Sequence, residues 1–128
     1  MAYLLDTHVF LWWLADAPQL PAPVKNLIAS PDNDIAVSAV TAWEISIKRA
    51  LGKLQAPSGL ASVIVDEGFV ELPIQFAHGE RAGELPDIHR DPFDRMLIAQ
   101  CQLQGLTLIT RDQTIPLYAL KTVWPESG

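Results

Sequence analysis

The sequence predicts an α/β protein in which a central parallel sheet of four to five strands is flanked by helices on both faces. Short, unbroken apolar runs of strand length recur along the chain, as strands buried on both faces require. Longer stretches with helical spacing of apolar side chains separate these runs, and that alternation is typical of right-handed βαβ units. At 128 residues, without a linker or an internal repeat, the chain is predicted to form a single domain over residues 1–128.

The first half of the chain supplies two of the predicted strands, each followed by a helix. Prolines between residues 18 and 23 close the first helix, the SPDND segment forms a turn, and Gly52 provides a common helix stop. The predicted elements are, in order, a strand over Ala2–Asp6, helices over Val9–Ala15 and Val24–Ala29, a strand over Ile35–Ser38 and a helix from Thr41 to about Gly52.

The second half contains the clearest helix signal, because Asp91 is a good N-cap, Pro92 suits the first helical position and Gly105 suits the end. A strand follows over Leu106–Thr110, and Thr122–Trp124 is a candidate fifth strand at an edge. The elements predicted before this helix are helices over Leu60–Asp66 and Gln75–Glu84 and, between them, a strand over Phe69–Leu72 that Pro73 terminates.

Composition and charge limit the classes of function. Apolar residues make up 49% of the chain and charged residues 19%, which fits a folded globule. The mean hydropathy of +0.17 indicates either a large core or apolar surface kept for a partner. The net charge of −6 argues against a nucleic-acid coat protein with a basic face. It leaves open an enzyme that binds phosphates through metal ions, since carboxylate ligands themselves add negative charge.

The expected location follows from cysteine usage and hydropathy. Cys101 is the only cysteine, so an intrachain disulfide is impossible, and its place in an apolar helix predicts a small buried thiol in a reducing compartment. The apolar N-terminus has no basic segment, and no apolar run approaches the ~20 residues that span a bilayer. A cytoplasmic protein without membrane association is therefore expected.

Four acidic residues occupy positions where strands end and helices begin, namely Asp6, Glu44, Asp94 and Asp112. The carboxyl ends of parallel strands meet at one edge of a sheet, and ligands bind there. Asp94 is the least certain member, because it joins this edge only if its own helix starts there. Two unit charges 4 Å apart repel by about 4 kcal/mol at an effective dielectric near 20, so such a cluster favours a bound cation. The hard oxygen donors predict Mg²⁺ or Mn²⁺.

Each acid also has an ordinary structural interpretation, and these interpretations remain open at this point. Acidic residues cap helices, balance helix dipoles and initiate turns. The joint placement of the four acids, rather than any one of them, favours a site. The structural candidates are a capping box of Thr41 with Glu44, an N-cap and dipole pair of Asp91 with Asp94, a cap at Asp6 and a turn at Asp112.

Basic and aromatic side chains near these acids have two interpretations each. Arg95 and Arg111 adjoin proposed metal ligands and are expected either to contact substrate phosphates or to balance charge. The histidines are too scattered to predict a zinc site, and His8 is expected in a packing or surface role more than in the pocket. The adjacent Trp12 and Trp13 cannot point the same way, so one of them is a candidate contact for a partner.

Four sequence blocks resemble the signature of a known family. LLDTHVFLWW, SAVTAWEISIK, DPFDRMLIAQ and LITRD occur in the order found in PIN-domain toxins of the VapC type, and the resemblance covers nearly the whole chain. DPFDRMLIAQ is the most specific of these blocks. The resemblance implies a PIN-like fold and a Mg²⁺- or Mn²⁺-dependent endoribonuclease.

The resemblance also implies roles for individual residues. It assigns the four acids named above to catalysis and metal binding, although Asp91 lies near enough to Asp94 to leave the choice between these two open. Thr7 and Thr110 match positions at which a hydroxyl group supports the acids.

Partners and reaction are implied in the same way. Members of the family typically form homodimers, are inhibited by a cognate VapB-type antitoxin and cleave RNA, often tRNA or rRNA, so the chain is expected to be the toxin of a VapBC-type toxin–antitoxin system. Hydrolysis at such a site is expected to leave a 5′-phosphate and a 3′-hydroxyl, without participation of the 2′-hydroxyl. The alternative is a non-catalytic PIN-like module that binds RNA or a protein, against which four intact acids argue.

Overall fold

A parallel five-stranded sheet forms the centre of the computed structural model, which describes residues 1–125. All four neighbouring strand pairs are parallel, and their order across the sheet is β3-β2-β1-β4-β5. The predicted parallel sheet is confirmed, and the candidate edge strand near the C-terminus is its fifth member. The strands are β1 (Ala2–Leu5), β2 (Asp34–Ser38), β3 (Val70–Leu72), β4 (Thr107–Ile109) and β5 (Lys121–Val123).

Within the described residues, six α-helices and one short 3₁₀ helix accompany the sheet. The 3₁₀ helix over Ile115–Leu117 was not predicted, since its three residues are too few to produce a periodic pattern. The α-helices are α1 (Thr7–Leu14), α2 (Ala22–Ala29), α3 (Ala39–Ala50), α4 (Leu60–Glu67), α5 (Phe76–Glu84) and α6 (Pro92–Gln104). None of the helices between residues 1 and 125 is both long enough and apolar enough to cross a bilayer.

Alternate residues of the central strands point to opposite faces of the sheet, as the two-residue period of a strand requires. Tyr3 and Leu5 pack on one face against α1 and α2, whereas Leu4 packs on the other face against α6. Both faces are therefore covered, which confirms the prediction of helices on both sides. It also explains why the strands read as unbroken apolar runs rather than as alternating ones.

The order of the strands reverses beside β1. The chain adds β2 and β3 on one side of β1 and then returns to add β4 and β5 on the other side. In open parallel sheets, the connections that leave the two strands at such a point diverge and create a crevice at their carboxyl ends. Asp6 directly follows β1, and its backbone N–H bonds to the carbonyl of Ile109 at the end of β4, so this aspartate lies at the crevice.

Three helices, α1, α2 and α3, begin two residues earlier than the sequence pattern predicted. Helix α2 starts at Ala22 rather than Val24, with Pro23 in its first turn. Helix α3 starts at Ala39, because the Ser38 hydroxyl accepts a hydrogen bond from the Val40 N–H and serves as the N-cap. Thr41 therefore lies inside the helix, and the capping-box interpretation of Thr41 and Glu44 is wrong. Helix α1 starts at Thr7 rather than Val9, with Asp6 at the N-cap position but without a side-chain capping bond.

The ends of α6 match the prediction. The Asp91 carboxylate accepts hydrogen bonds from the backbone N–H groups of Phe93 and Asp94, and Gly105 ends the helix with a left-handed φ of 67°. Cys101 is buried on this helix, and burial raises the pKa of its thiol to about 12, so it remains an uncharged core group.

Candidate metal centre

The structure brings the four acids together at the carboxyl edge of the sheet. Asp6 follows β1, Asp112 follows β4, Glu44 lies in the second turn of α3 and Asp94 lies in the first turn of α6. Asp6, Asp94 and Asp112 line a cavity of about 260 Å³, and Glu44 is close enough to raise the pKa of both Asp6 and Asp94. The uncertain placement of Asp94 is resolved, because α6 begins at this edge.

Asp6 is held in place from β4. The Thr110 hydroxyl donates a 2.6 Å hydrogen bond to Oδ2 of Asp6 and accepts one of 3.1 Å from the backbone N–H of Asp112. One hydroxyl group thus connects two of the four acids. Burial is the largest influence on Asp6 and raises the pKa of its carboxyl, although the Thr110 bond opposes that shift.

Glu44 is almost completely buried, with 3% of its surface exposed. Its Oε2 bonds to Lys48 one helical turn later, and this hydrogen bond raises the pKa of the lysine. Its Oε1 is buried without a hydrogen-bond partner among residues 1–125. A buried carboxylate oxygen without a partner is costly, so this atom is suited to a ligand that supplies positive charge.

Asp94 has the most clearly perturbed acidity of the four. Burial is the main cause and the charges of Asp6, Asp91 and Glu44 add to it, raising the pKa of the Asp94 carboxyl to about 8. Repulsion between neighbouring carboxylates is relieved either when one of them keeps its proton or when a cation binds.

His89 also belongs to this cluster, although the sequence analysis did not select it. Its Nε2 lies 3.1 Å from Oδ2 of Asp94 and 3.4 Å from Oδ2 of Asp112, and its Nδ1 accepts a 3.1 Å hydrogen bond from the backbone N–H of Asp91. A backbone N–H can only donate, so Nδ1 carries the lone pair and the ring proton lies on Nε2. His89 therefore donates to the two carboxylates. Its only signal in the sequence is its position just before an N-cap aspartate.

Asp112 was predicted either to initiate a turn or to belong to the acidic site. In the structure its carboxylate does the first and also lines the cavity. Its Oδ1 accepts bonds from the backbone N–H groups of Thr114 (2.6 Å) and Ile115 (3.0 Å), which leaves Oδ2 facing His89. Burial opposes ionisation of this group, but the backbone hydrogen bonds of Ile115 and Thr114 and the contact with His89 together outweigh it and hold the pKa of Asp112 below its usual value.

The geometry separates Asp91 from Asp94. Oδ1 of Asp91 is engaged in capping α6, whereas Oδ2 of Asp94 is turned toward Nε2 of His89, which also lies near Oδ2 of Asp112. The arrangement therefore favours Asp94 as the ligand and Asp91 as a helix cap.

The two threonines expected to support the acids have different surroundings. Thr110 contacts Asp6 directly, as described above. The hydroxyl of Thr7 is buried and forms a 3.1 Å hydrogen bond with the Thr41 hydroxyl, which connects α1 to α3. Thr41 is the side-chain hydrogen-bond partner of Thr7 among residues 1–125, and none of the four acids is. Thr7 therefore supports the site indirectly, by fixing helix α1, which follows Asp6.

Arg95 does not face the cavity, which corrects the expectation that it contacts phosphates. Its guanidinium donates hydrogen bonds to backbone carbonyls of the last turn of α5 and of the segment between α5 and α6. These acceptors use its donors, and the side chain instead holds the segment that carries His89. The carbonyls are those of Ala82 (2.8 Å), Leu85 (2.9 Å), Pro86 (3.1 Å) and His89 (3.1 Å).

Arg111 lines the cavity, as a residue that contacts substrate would. Its guanidinium carbon lies 4.6 Å from the centroid of the Trp12 ring, and His8, which is exposed at the surface as expected, also lines this cavity.

Comparisons with known proteins agree with this architecture. No curated protein sequence matches the chain significantly. The chain is similar in structure to VapBC2 of Rickettsia felis bound to a DNA fragment from its promoter, with a TM-score of 0.69 and 16% identity over 98% of this chain and 100% of that chain. It is also similar to a toxin–antitoxin complex of Klebsiella pneumoniae, with a TM-score of 0.67 and 21% identity over 98% and 99% of the two chains.

A third solved structure, FitAcB of Neisseria gonorrhoeae, has a TM-score of 0.61 and 19% identity over 94% of this chain and 95% of that chain. At these identities the likeness concerns the fold. Membership rests on a family model described as the PIN domain, which matches residues 3–120 and so includes the strands and helices that carry all four acids. The chain belongs to the PIN-domain family.

Proposed function

We propose that the chain is a Mg²⁺- or Mn²⁺-dependent endoribonuclease and the toxin of a VapBC-type toxin–antitoxin system. The observation that carries the proposal is the convergence of four carboxylates at the carboxyl edge of the sheet, three of which line one cavity. The fourth, Glu44, has an Oε1 that is buried without a hydrogen-bond partner among residues 1–125. Nucleases of this chemistry need carboxylates that hold a divalent cation next to a phosphodiester.

The residues present fit such a cation. Asp6, Glu44, Asp94 and Asp112 offer hard oxygen donors, which Mg²⁺ and Mn²⁺ prefer. Burial raises the pKa of Asp94 most, and the charges of the neighbouring acids raise it further. When bound there, the metal would supply Lewis acidity toward the phosphate and lower the pKa of a water molecule.

The remaining groups hold these carboxylates for hydrolysis of the phosphodiester to a 5′-phosphate and a 3′-hydroxyl. Thr110 orients Asp6, Lys48 fixes one oxygen of Glu44, and the Nε2–H of His89 spans Asp94 and Asp112. Such preorganisation contributes to catalysis because no group has to reorient as the reaction proceeds.

The toxin assignment is supported by family membership and by the nature of the similar structures. One solved structure of similar fold is described as a toxin–antitoxin complex, and two others, VapBC2 and FitAB, are bound to DNA fragments. We infer from this that the chain forms a homodimer, that a VapB-type antitoxin inhibits it, and that its substrate is an RNA such as tRNA or rRNA.

The test is to incubate the purified protein with total RNA, with Mg²⁺ and with EDTA, and to map new 5′ ends. We expect defined ends that carry a 5′-phosphate only with Mg²⁺, and a loss of at least ~100-fold in rate for Asp6→Asn and for Asp94→Asn. Asp32→Asn, an exposed change away from the cavity, is the matched control and should keep the activity. Cleavage that persists in EDTA or in both site variants would refute the proposal.

Calorimetric titration with Mg²⁺ distinguishes the alternative, a non-catalytic PIN-like module. A nuclease should bind the metal stoichiometrically and lose that binding with Asp94→Asn. The absence of both metal binding and cleavage would favour the binding module.

A further inference from the structure

The wall of the cavity that faces the acids is basic and aromatic, and it is built from His8, Trp12 and Arg111. The Arg111 guanidinium carbon lies 4.6 Å from the centroid of the Trp12 ring, and the rings of His8 and Trp12 are 5.9 Å apart with an interplanar angle of 32°. The cavity therefore has two halves, one of carboxylates and one of flat, cationic or aromatic groups. We refer to these three side chains as the basic-aromatic wall.

The basic-aromatic wall is preorganised by the fold. His8 and Trp12 are four residues apart on α1 and so lie on the same side of that helix. Trp12 is half-buried and packs against Trp124, with ring centroids 6.2 Å apart, which limits its movement. Arg111 immediately follows Thr110, whose hydroxyl holds Asp6, so its backbone position is tied to the acids.

The donors of Arg111 are available to a ligand. Although Arg111 adjoins Asp112, its guanidinium forms neither an ion pair nor a hydrogen bond with any side chain or backbone group in the described part of the chain, residues 1–125. Arg95, by contrast, uses its donors on backbone carbonyls. A guanidinium placed over the face of an indole ring keeps its N–H groups available to bind a phosphate.

We propose that the basic-aromatic wall binds one unpaired nucleotide of an RNA chain, with its base stacked on His8 and Trp12 and its phosphate held by Arg111 beside the acids. The inference rests on the proposed nuclease function and names the class of its substrate. A base inside a continuous duplex is covered on both faces by its neighbours, so only a loop, a bulge or a single strand presents a free face to these rings. Stacking tolerates every base, so the wall selects unpaired structure rather than sequence.

The test measures RNA binding apart from cleavage, in an Asp94→Asn background with Mg²⁺ present. The probes are a short fluorescent single-stranded RNA and the same sequence within a fully paired duplex, followed by anisotropy. We expect the single strand to bind at least about tenfold more tightly than the duplex, and Trp12→Leu and Arg111→Gln each to remove roughly tenfold of that affinity. Equal binding of the two probes, or unchanged binding in both variants, would overturn the proposal.

Two matched controls separate the wall from general effects. Trp13→Leu changes the neighbouring indole, which bonds to Glu67 and packs on Phe69, and Arg81→Gln removes a positive charge far from the cavity on α5. Neither should alter the affinity for the single strand. Arg111 is exposed, so Arg111→Gln is expected to fold even if Trp12→Leu does not, and thermal midpoints check both.

Failure of this inference and failure of the proposed nuclease function give different results. Wild-type cleavage of single-stranded RNA that Trp12→Leu and Arg111→Gln leave unchanged would overturn the nucleotide site and leave the nuclease intact. Wall-dependent binding of single-stranded RNA by a wild-type protein that never cleaves it would support the nucleotide site and overturn the nuclease.

Discussion

The Asp94 carboxyl ionises with difficulty in the folded protein. Its pKa is raised to about 8 from the usual value of 3.8, first by burial and then by the neighbouring acids. Between those values the folded chain holds a proton that the unfolded chain has lost. Stability therefore falls as pH rises through this window and stops falling above about pH 8, where both states are ionised.

Asp94→Asn should remove this pH dependence, because asparagine is neutral in both states. Without metal, the stability of the wild-type protein relative to Asp94→Asn is expected to fall by up to about 1.4 kcal/mol per pH unit between about pH 5 and pH 8. Urea unfolding in EDTA at several pH values measures the difference, with Asp32→Asn as a control that should follow the wild type. If the free energy of unfolding depended on pH in the same way for the wild type and for Asp94→Asn, the raised pKa of Asp94 would not be the cause of the pH dependence.

The tautomer of His89 defines its role at the site. Because Nδ1 accepts from the Asp91 N–H, the Nε2–H points at Asp94 and Asp112 and the ring acts as a donor to ligands rather than as a ligand. Rotating the ring by 180° would place carbon atoms at both positions and lose these hydrogen bonds.

Substitution of His89 should lower the affinity for the metal, and the loss should be smaller when the new side chain can still donate a hydrogen bond to the carboxylates. His89→Ala is expected to lower the affinity for Mn²⁺ by roughly 10- to 100-fold, and His89→Gln, whose amide can donate, to lower it less. Calorimetry measures both affinities. Pulsed electron paramagnetic resonance of the Mn²⁺-loaded wild type should show no nitrogen coupling from a histidine, and such a coupling would identify the ring as a ligand and contradict this assignment.

The segment between α5 and α6 is held by side chains rather than by regular structure. Arg95 donates to its carbonyls, and the Tyr118 hydroxyl accepts hydrogen bonds from the backbone N–H groups of Ile88 (3.1 Å) and His89 (2.7 Å) while it donates to Pro86 (2.7 Å). These bonds satisfy backbone groups that a helix or strand would otherwise pair. They also set the position from which His89 reaches the acids.

Arg95→Lys should destabilise the protein because one ammonium group cannot reach the carbonyls that the planar guanidinium spans. We expect a loss of about 2–3 kcal/mol in the free energy of unfolding, together with weaker Mn²⁺ binding through displacement of His89. Urea unfolding and calorimetry measure the two effects. Arg81→Lys, on the neighbouring helix α5, is the control and should change stability by less than about 0.5 kcal/mol.

The sheet order couples the acidic site to the stability of the whole chain. Strands β1 and β4 come from opposite ends of the sequence, and folding places Asp6 beside Asp112 and Asp94. Like charges at this edge oppose folding, whereas a cation that binds only the folded state favours it.

Asp6→Asn should therefore change stability in opposite directions without and with metal. In EDTA the variant is expected to be at least as stable as the wild type, because one repulsive charge is gone. With Mg²⁺ at about 100 times the dissociation constant, the wild type should gain about 2.7 kcal/mol and the variant much less. Thermal unfolding checks both, and Asp32→Asn should gain as the wild type does. Equal gains for wild type and Asp6→Asn would argue against a metal at this edge.

Much of the architecture was predictable from local patterns. Unbroken apolar runs identified strands such as β1, and Asp91, Pro92 and Gly105 identified the ends of α6, because these signals are written in neighbouring residues. The predicted starts of α1, α2 and α3 were each two residues too late. Ser38 both ends a strand and caps the next helix, and apolar periodicity does not mark a first turn.

The site was predictable to a smaller extent. The position of the four acids at strand ends indicated one edge of the sheet, and the structure places them there, while their catalytic role stays a prediction. The roles of His89 and Arg95 were not foreseeable. One depends on a backbone N–H that fixes a tautomer and the other on carbonyls of a segment without regular structure, and neither group leaves a pattern in the sequence.

Hydrophobic patterning and the chemistry of single residues were sufficient to establish a parallel α/β sheet with acids at its carboxyl edge, since both are local properties of the chain. Three-dimensional packing alone settled which polar groups face each other. Among residues 1–125, the guanidinium of Arg111 has no hydrogen-bond partner while that of Arg95 has several, and Glu44 keeps one oxygen without a partner. Such partners depend on distances between segments far apart in the chain.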